Sequence, residues 1–484
     1  MSRIVKPGLL PALMLCGLLA LVGCEGDQGP VGAQGPEGPA GPPGPPGGTS
    51  EFTYAGYQGE ACLHCHGRTV ADVRTTGHNV AYAGLDAEFQ DLPYCLQCHT
   101  TGWDTPIAYG VTEFEPTGDD VHGYDDYFGV DTTEAASRRD ALENVQCESC
   151  HGAMGPDFNA HTPSVVFSTV VDGEITASCV PCHDGQLDEW LTSGHGTASG
   201  LTHEEFVDEF GGSASCKPCH TSEGFIAAHD PVYAAYDFGG DVNFIGCVTC
   251  HDPHVGEAGG GNAAQLRAVG AVEIVYTPGL TPGDPEIPRM EGYGAAQTCA
   301  QCHHARRNAT NVSGQIANGY AHFGPHGSPQ MDMFLGAGCY EIPDYEYDRE
   351  HSHQNIDDAC VKCHMVREVL LHGELQDHSF HTFTPDVGNC APCHTEITDF
   401  DVEGVQTLVV SKLDQLAVLF GYADWDVLME NLDADNAAMS SWQREALYAG
   451  VFVSNDGSHG VHNPAYALDL LDNAIAYYQS HLTQ

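Results

Sequence analysis

The pattern Cys-x-x-Cys-His occurs nine times in this 484-residue chain, and no other feature restricts the fold as strongly. The copies are Cys62-Cys65-His66, Cys95-Cys98-His99, Cys147-Cys150-His151, Cys179-Cys182-His183 and Cys216-Cys219-His220. They continue with Cys247-Cys250-His251, Cys299-Cys302-His303, Cys360-Cys363-His364 and Cys390-Cys393-His394. This is the attachment signature of c-type haem. Two thioethers fix the vinyl edges of one porphyrin, and the adjacent His is thereby delivered to the iron from one face.

Other chemistries of Cys-x-x-Cys fit less well. A zinc site takes two such knuckles per ion, but nine is odd and a His follows the second Cys every time. A thioredoxin-like motif belongs once in a βαβ setting, and a disulfide framework needs no His there. Of the 21 Cys, eighteen go to haem, Cys16 and Cys24 lie near the N-terminus, and Cys339 remains as a lone thiol expected to be a small buried residue. The expectation is nine covalently bound haem c groups.

Each iron needs a ligand on its second face. Nineteen of the 28 His lie outside the motif positions, so bis-His ligation throughout is numerically affordable. The candidates by local context are His78, His161, His195, His229, His254, His326, His353, His381 and His462, with His322, His351 and His378 as runners-up for their near neighbours; His64 is read as a spacer. Met and Lys are scarce: after Lys6 only Lys217, Lys362 and Lys412 occur, and the first two lie inside motifs. Bis-His ligation keeps potentials below those of Met/His haems. It also closes the iron to substrates.

Sixteen basic against 67 acidic residues give a formal charge of −51. That excludes a nucleic-acid binder, which needs Lys and Arg to neutralise phosphates, and disfavours docking on anionic lipid. It suits recruitment of cationic partners or metal ions.

At the N-terminus, Arg3 and Lys6 precede an apolar run from Leu9 to Val22 that is too short for a membrane span and reads as a signal peptide. It ends in Leu21-Val22-Gly23-Cys24, which resembles a bacterial lipobox with Cys24 as the lipidated residue. The chain is thus expected to be exported and held at a membrane by a lipid anchor only, at the outer membrane, cell surface or periplasm. Gly then recurs at 26, 29, 32, 35, 38, 41, 44 and 47 among prolines. This collagen-type repeat is read as an extended stalk in preference to a trimerising triple helix.

Four segments follow from this: signal peptide 1–23, lipidated Cys and stalk 24–48, nine-haem region 49–395 and helical C-terminal domain 396–484. The haem region is punctuated by Gly and Pro every few residues and lacks long periodic stretches, so porphyrins must supply its apolar filling. Beyond it, helical spacing is predicted over Val405–Phe420, Trp425–Leu432, Ser440–Phe452 and Pro464–Leu482. The expected class is mostly α and irregular, a loop-rich core around haems with a helical C-terminal domain that supplies a distal His.

With these motifs the chain resembles the bacterial multihaem cytochrome c superfamily, which includes pentahaem nitrite reductases, octahaem enzymes and extracellular electron-transfer cytochromes. Gly457-Ser458-His459-Gly460-Val461-His462-Asn463-Pro464, opening an apolar helix, is similar to a Gly-x-His-Asn-Pro segment of these proteins. The resemblance implies a distal ligand at His462. Pro325-His326-Gly327-Ser328 and His381-Thr382-Phe383 resemble further distal segments less closely. The Cys-x-x-Cys-Lys motif typical of pentahaem nitrite reductases is missing, and there is almost no Lys to serve as the one on an octahaem active haem.

The expected function is electron transfer in anaerobic or extracellular respiration, with redox proteins or extracellular acceptors as partners and homo-oligomerisation left open. No residue is assigned a catalytic role. The alternatives are a reductase of small nitrogen or sulfur compounds with one open haem, and a subunit of a conductive filament.

Overall fold

The computed structural model describes residues 54–56, 61–108, 122–153, 169–171, 174–176, 178–197, 200–231, 233–234, 242–371 and 374–483. The expected signal peptide, Cys24, the Gly-x-y repeat and His161 lie outside these. The described residues belong to one compact unit, Ser50–Gln484. Helices and irregular chain dominate, and among the described residues strands occur only as three two-stranded antiparallel pairs.

Most motifs ride on short helices: the first on α1 (Ala61–Val73), the second on α2 (Pro93–His99), the third on α3 (Cys147–His151) and the sixth on α4 (Cys247–Cys250). A helical turn brings Cys i and i+3 onto one face, so a single short helix presents both thiols and starts the His on its way out. Apolar clusters among these helices are small. Leu96, Tyr124 and Leu142 form one, and Phe206, Val242 and Phe244 another. The motif cysteines themselves stay partly or fully exposed. Val272, Ile274, Met290, Met331 and Phe334 belong to a third, larger cluster. The longest hairpin, Val366–Leu371 against Glu374–Ser379, was not foreseen.

The C-terminal part is a true hydrophobic core. Its helices are α5 (Val405–Leu419), α6 (Trp425–Asp435), α7 (Ser441–Asp456) and α8 (Pro464–Leu482), within a few residues of the predicted bounds. The caps explain the starts. Asp424 and Asn463 accept from Val427 N and Tyr466 N at 3.0 Å each, and Pro464 occupies the first turn of α8. α7 is buried from Ala446 to Val453 without a break, so it forms the central rod. At Gly450 a Cβ would meet the Trp425 ring at 2.4 Å, which is why three helices can close on that point.

This core does not stop at the bundle. Ala305, Val312, Phe323, Met333, Cys339 and Ile342 join it from the haem-bearing side, and Cys339 is buried as expected of a lone small thiol. The Arg444 guanidinium, 4% exposed, donates to the carbonyls of Ile316, Ala317, Asn436 and Met439. It ties α7 to the segment that follows the seventh motif.

Candidate haem-ligand pairs

The motif imidazoles do not stand alone. His183 faces His78 with ring centroids 6.3 Å apart, His151 faces His254 at 6.3 Å and His303 faces His195 at 6.1 Å. His220 faces His326 at 6.1 Å, His251 faces His381 at 6.2 Å, His394 faces His353 at 6.1 Å and His364 faces His462 at 6.2 Å. Each pair joins one motif His to one non-motif His, never two of a kind.

The separation has a chemical meaning. An imidazole nitrogen ligates a first-row metal at about 2 Å, and the ring centre lies about 1.1 Å behind it, so two trans imidazoles stand about 6.2 Å apart. Stacking would bring the rings closer, and nothing in random packing favours one distance seven times. These residues therefore fit an iron between each pair. No cluster of three or more His, Cys, Asp or Glu arranged for a metal ion occurs among the described residues. Bound haem would supply one-electron redox chemistry at each such position.

Hydrogen bonds orient the rings. Nδ1 of His251 lies 2.8 Å from Ala264 O, that of His353 2.9 Å from Val461 O, that of His364 3.0 Å from Phe383 O and that of His99 2.5 Å from Ala81 O. A ring that donates from Nδ1 keeps Nε2 free as the ligand atom. His462 is held more firmly. Its Nδ1 is 2.6 Å from Oδ1 of Asp456, a carboxylate with no exposed side-chain surface, and Asp456 also accepts from Ser458. Burial drives the pKa of His462 down, but the Asp456 carboxylate outweighs it and the net shift is upward. For His195 and His326 burial prevails, helped by a neighbouring imidazole or guanidinium, and both fall to about 4. Such rings are neutral at physiological pH, the form that ligates metal.

Runner-up histidines are engaged elsewhere. His351 Nε2 lies 2.7 Å from Phe334 O, His322 makes an exposed ion pair with Asp433, and His378 rests on Phe380. The structure places their neighbours His353, His326 and His381 opposite motif rings. The Arg306 guanidinium sits 2.8 Å from Nε2 of His326, so it has to withdraw for that pair to take a metal. His229 packs on Phe225 and faces no motif His among the described residues. His66, on α1, is exposed. Among the described residues, no second imidazole stands opposite His99.

Sequence reasoning overlooked Asp456 because a single Asp carries no motif. Its position six residues before His462 is visible only once α7 ends and the chain turns at Gly457, φ 75°.

Comparison with known proteins agrees with this chemistry. The family described as outer membrane cytochrome MtrC/MtrF-like, domains II/IV, matches residues 57–230, and the cytochrome c552 family matches residues 339–483. No curated protein matches the chain. Among solved structures, the outer cell wall cytochrome OcwA is 16% identical with a TM-score of 0.48, over 88% of this chain and 100% of that one. An undecahaem S-layer cytochrome of Carboxydothermus ferrireducens is 18% identical with a TM-score of 0.48, over 89% and 70% of the two chains. Cytochrome c nitrite reductase of Desulfovibrio desulfuricans is 20% identical with a TM-score of 0.31, over 56% and 65%. The nine motifs and the two family matches together identify the chain as a multihaem cytochrome c.

Proposed function

We propose that this cytochrome is an electron carrier holding nine haems, most of them ligated by two histidines, and that it passes single electrons to a redox protein or an extracellular acceptor. The observation that carries the reading is the set of seven imidazole pairs at 6.1–6.3 Å. Two imidazoles would hold each such haem, which when bound would supply one-electron chemistry and leave no ligand position for a substrate. The excess of 67 acidic over 16 basic residues favours a cationic partner or metal ion, with encounter rates that fall as salt rises. Export and anchoring through Cys24, with residues 26–47 as a spacer, would hold the carrier at a membrane face.

The second reading is a reductase of small nitrogen or sulfur compounds with one haem left open. The test is low-temperature EPR and magnetic circular dichroism on the oxidised holoprotein, with mass spectrometry to count haems and detect the lipid on Cys24. Nine low-spin haems are expected for the carrier. A high-spin haem that binds hydroxylamine or cyanide shifts the assignment to the reductase, and fewer than nine haem masses overturns the count.

A further inference from the structure

The two halves of the haem region repeat one another in three dimensions. The Cys62 thiol contacts Cys147, as Cys179 contacts Cys247. Cys98 contacts Cys182 with its sulfur 3.7 Å from Pro181 O, and Cys219 contacts Cys302 with its sulfur 3.8 Å from Gln301 O. The polypeptide between them repeats as well. Thr101 Oγ1 lies 3.0 Å from Ser149 Oγ and accepts from Gln146 N at 3.0 Å. Ser222 Oγ lies 2.5 Å from Thr249 Oγ1 and accepts from Gly246 N at 3.2 Å. Thr75-Thr76-Gly77-His78 faces the fourth motif, as Thr192-Ser193-Gly194-His195 faces the seventh. His254 faces the third motif, as His381 faces the sixth. Seven independent correspondences relate motifs 1–3 to motifs 4–6.

The same contacts order the haems. Ser178 Oγ donates to Cys150 O at 2.8 Å, which sets motif 3 beside motif 4. Arg267 N donates to Cys250 O at 2.7 Å and Thr298 Oγ1 donates to Ala268 O at 2.9 Å, which sets motif 6 beside motif 7. Cys299 contacts Cys360, and Asn389 Nδ2 donates to Lys362 O at 3.1 Å and Val366 O at 2.6 Å, which adds motif 8 and then motif 9. Thioether sulfurs lie on the porphyrin edge, so motifs that touch through their thiols or their backbone hold neighbouring haems.

We infer that the haems form a trunk in the order 1–3–4–6–7–8–9, built on a duplicated three-haem unit, with the haems of motifs 2 and 5 as equivalent spurs on 4 and 7. This rests on the electron-carrier reading. The haem of Cys247 and Cys250 is the crossing between the first four motifs and the rest.

The test injects electrons at motif 9 of the holoprotein through a ruthenium photosensitiser on Thr398→Cys, an exposed site beyond His394. A sink is placed either at motif 1 by His66→Met or at motif 5 by His220→Met, since Met ligation raises potential. Both sinks fill in an intact trunk. With Cys247→Ala/Cys250→Ala added, the sink at motif 1 loses its signal and the sink at motif 5 keeps it. If the motif 1 sink still fills, or both signals vanish from a variant that retains eight haems and its helical content, the order is overturned. If neither sink fills in the parent, the electron-carrier reading fails instead. A cryo-EM map of the unsubstituted holoprotein checks the order without variants: haem 6 must lie edge to edge with haems 4 and 7. A map in which haem 2 links haem 3 to haem 4, or haem 5 links haem 6 to haem 7, refutes it.

Discussion

Asp456→Asn is expected to raise the potential of one haem, that between His364 and His462, by roughly 100 mV. The carboxylate is buried and 2.6 Å from Nδ1 of His462. Crossing the ring and the metal–nitrogen bond adds about 4 Å, so the charge stands about 6.5 Å from the iron. At an effective dielectric constant near 20, a unit charge at that distance contributes about 2–3 kcal/mol. At about 59 mV per tenfold change for one electron, that is roughly 100 mV. A charge-assisted hydrogen bond, worth about 1.5–3 kcal/mol, leads to the same range by a separate route. The sign follows from charge: a negative group favours the ferric state, so its removal favours the ferrous one. Asn keeps an acceptor for Nδ1–H, which separates the loss of charge from the loss of ring orientation. EPR-monitored redox titration of parent and variant reads the shift. Asp252→Asn, whose carboxylate is 3.2 Å from His254 Nδ1 but partly exposed and paired with Arg267, should move its haem less. No shift in any haem, or a downward one, would refute the assignment of Asp456 as the group that tunes this ligand.

Three further outcomes can be measured. His78→Ala and His195→Ala should each convert one haem to high spin in EPR, whereas His351→Ala and His378→Ala should leave the spectrum alone. The His151/His254 rings, 15° apart, should give a rhombic low-spin signal, while His303/His195 and His394/His353, at 68° and 81°, give the strongly anisotropic type; a uniform set of signals would contradict these geometries. Arg444→Met strips donors from four carbonyls and should destabilise the C-terminal bundle by about 3 kcal/mol or more, seen as a lowered midpoint in chemical denaturation.

Covalent chemistry made half of the site legible. Haem attachment demands Cys, Cys and His at fixed spacing, so the motifs needed no tertiary knowledge. The facing rings obey no such rule: His364 faces His462, delivered by a turn after a helix of the C-terminal bundle. Local context still singled out rings such as His78 and His195, because Gly before His leaves the backbone free to aim it. What could not be read was the pairing itself, since contacts between remote segments leave no periodic trace. The C-terminal helices were readable from apolar spacing, and the last one also from Asn463 followed by Pro464. The hairpin Val366–Leu371/Glu374–Ser379 was not, because it directly follows a motif and lacks a strong turn signal.

The exchange of ligands between successive segments bears on how such a protein is made. If the chain is exported N-terminus first, His78 would emerge well before the fourth motif that it faces, and a haem there could be closed at once. The third and sixth motifs must wait for His254 and His381, which arrive much later in synthesis. Their haems pass through a stage with one axial position unprotected, the moment at which a stray thiol or oxidant does damage. A laced chain of this kind also resists being cut into smaller working cytochromes. Truncation after the sixth motif would leave its haem without a second ligand, so biogenesis is committed to the whole length.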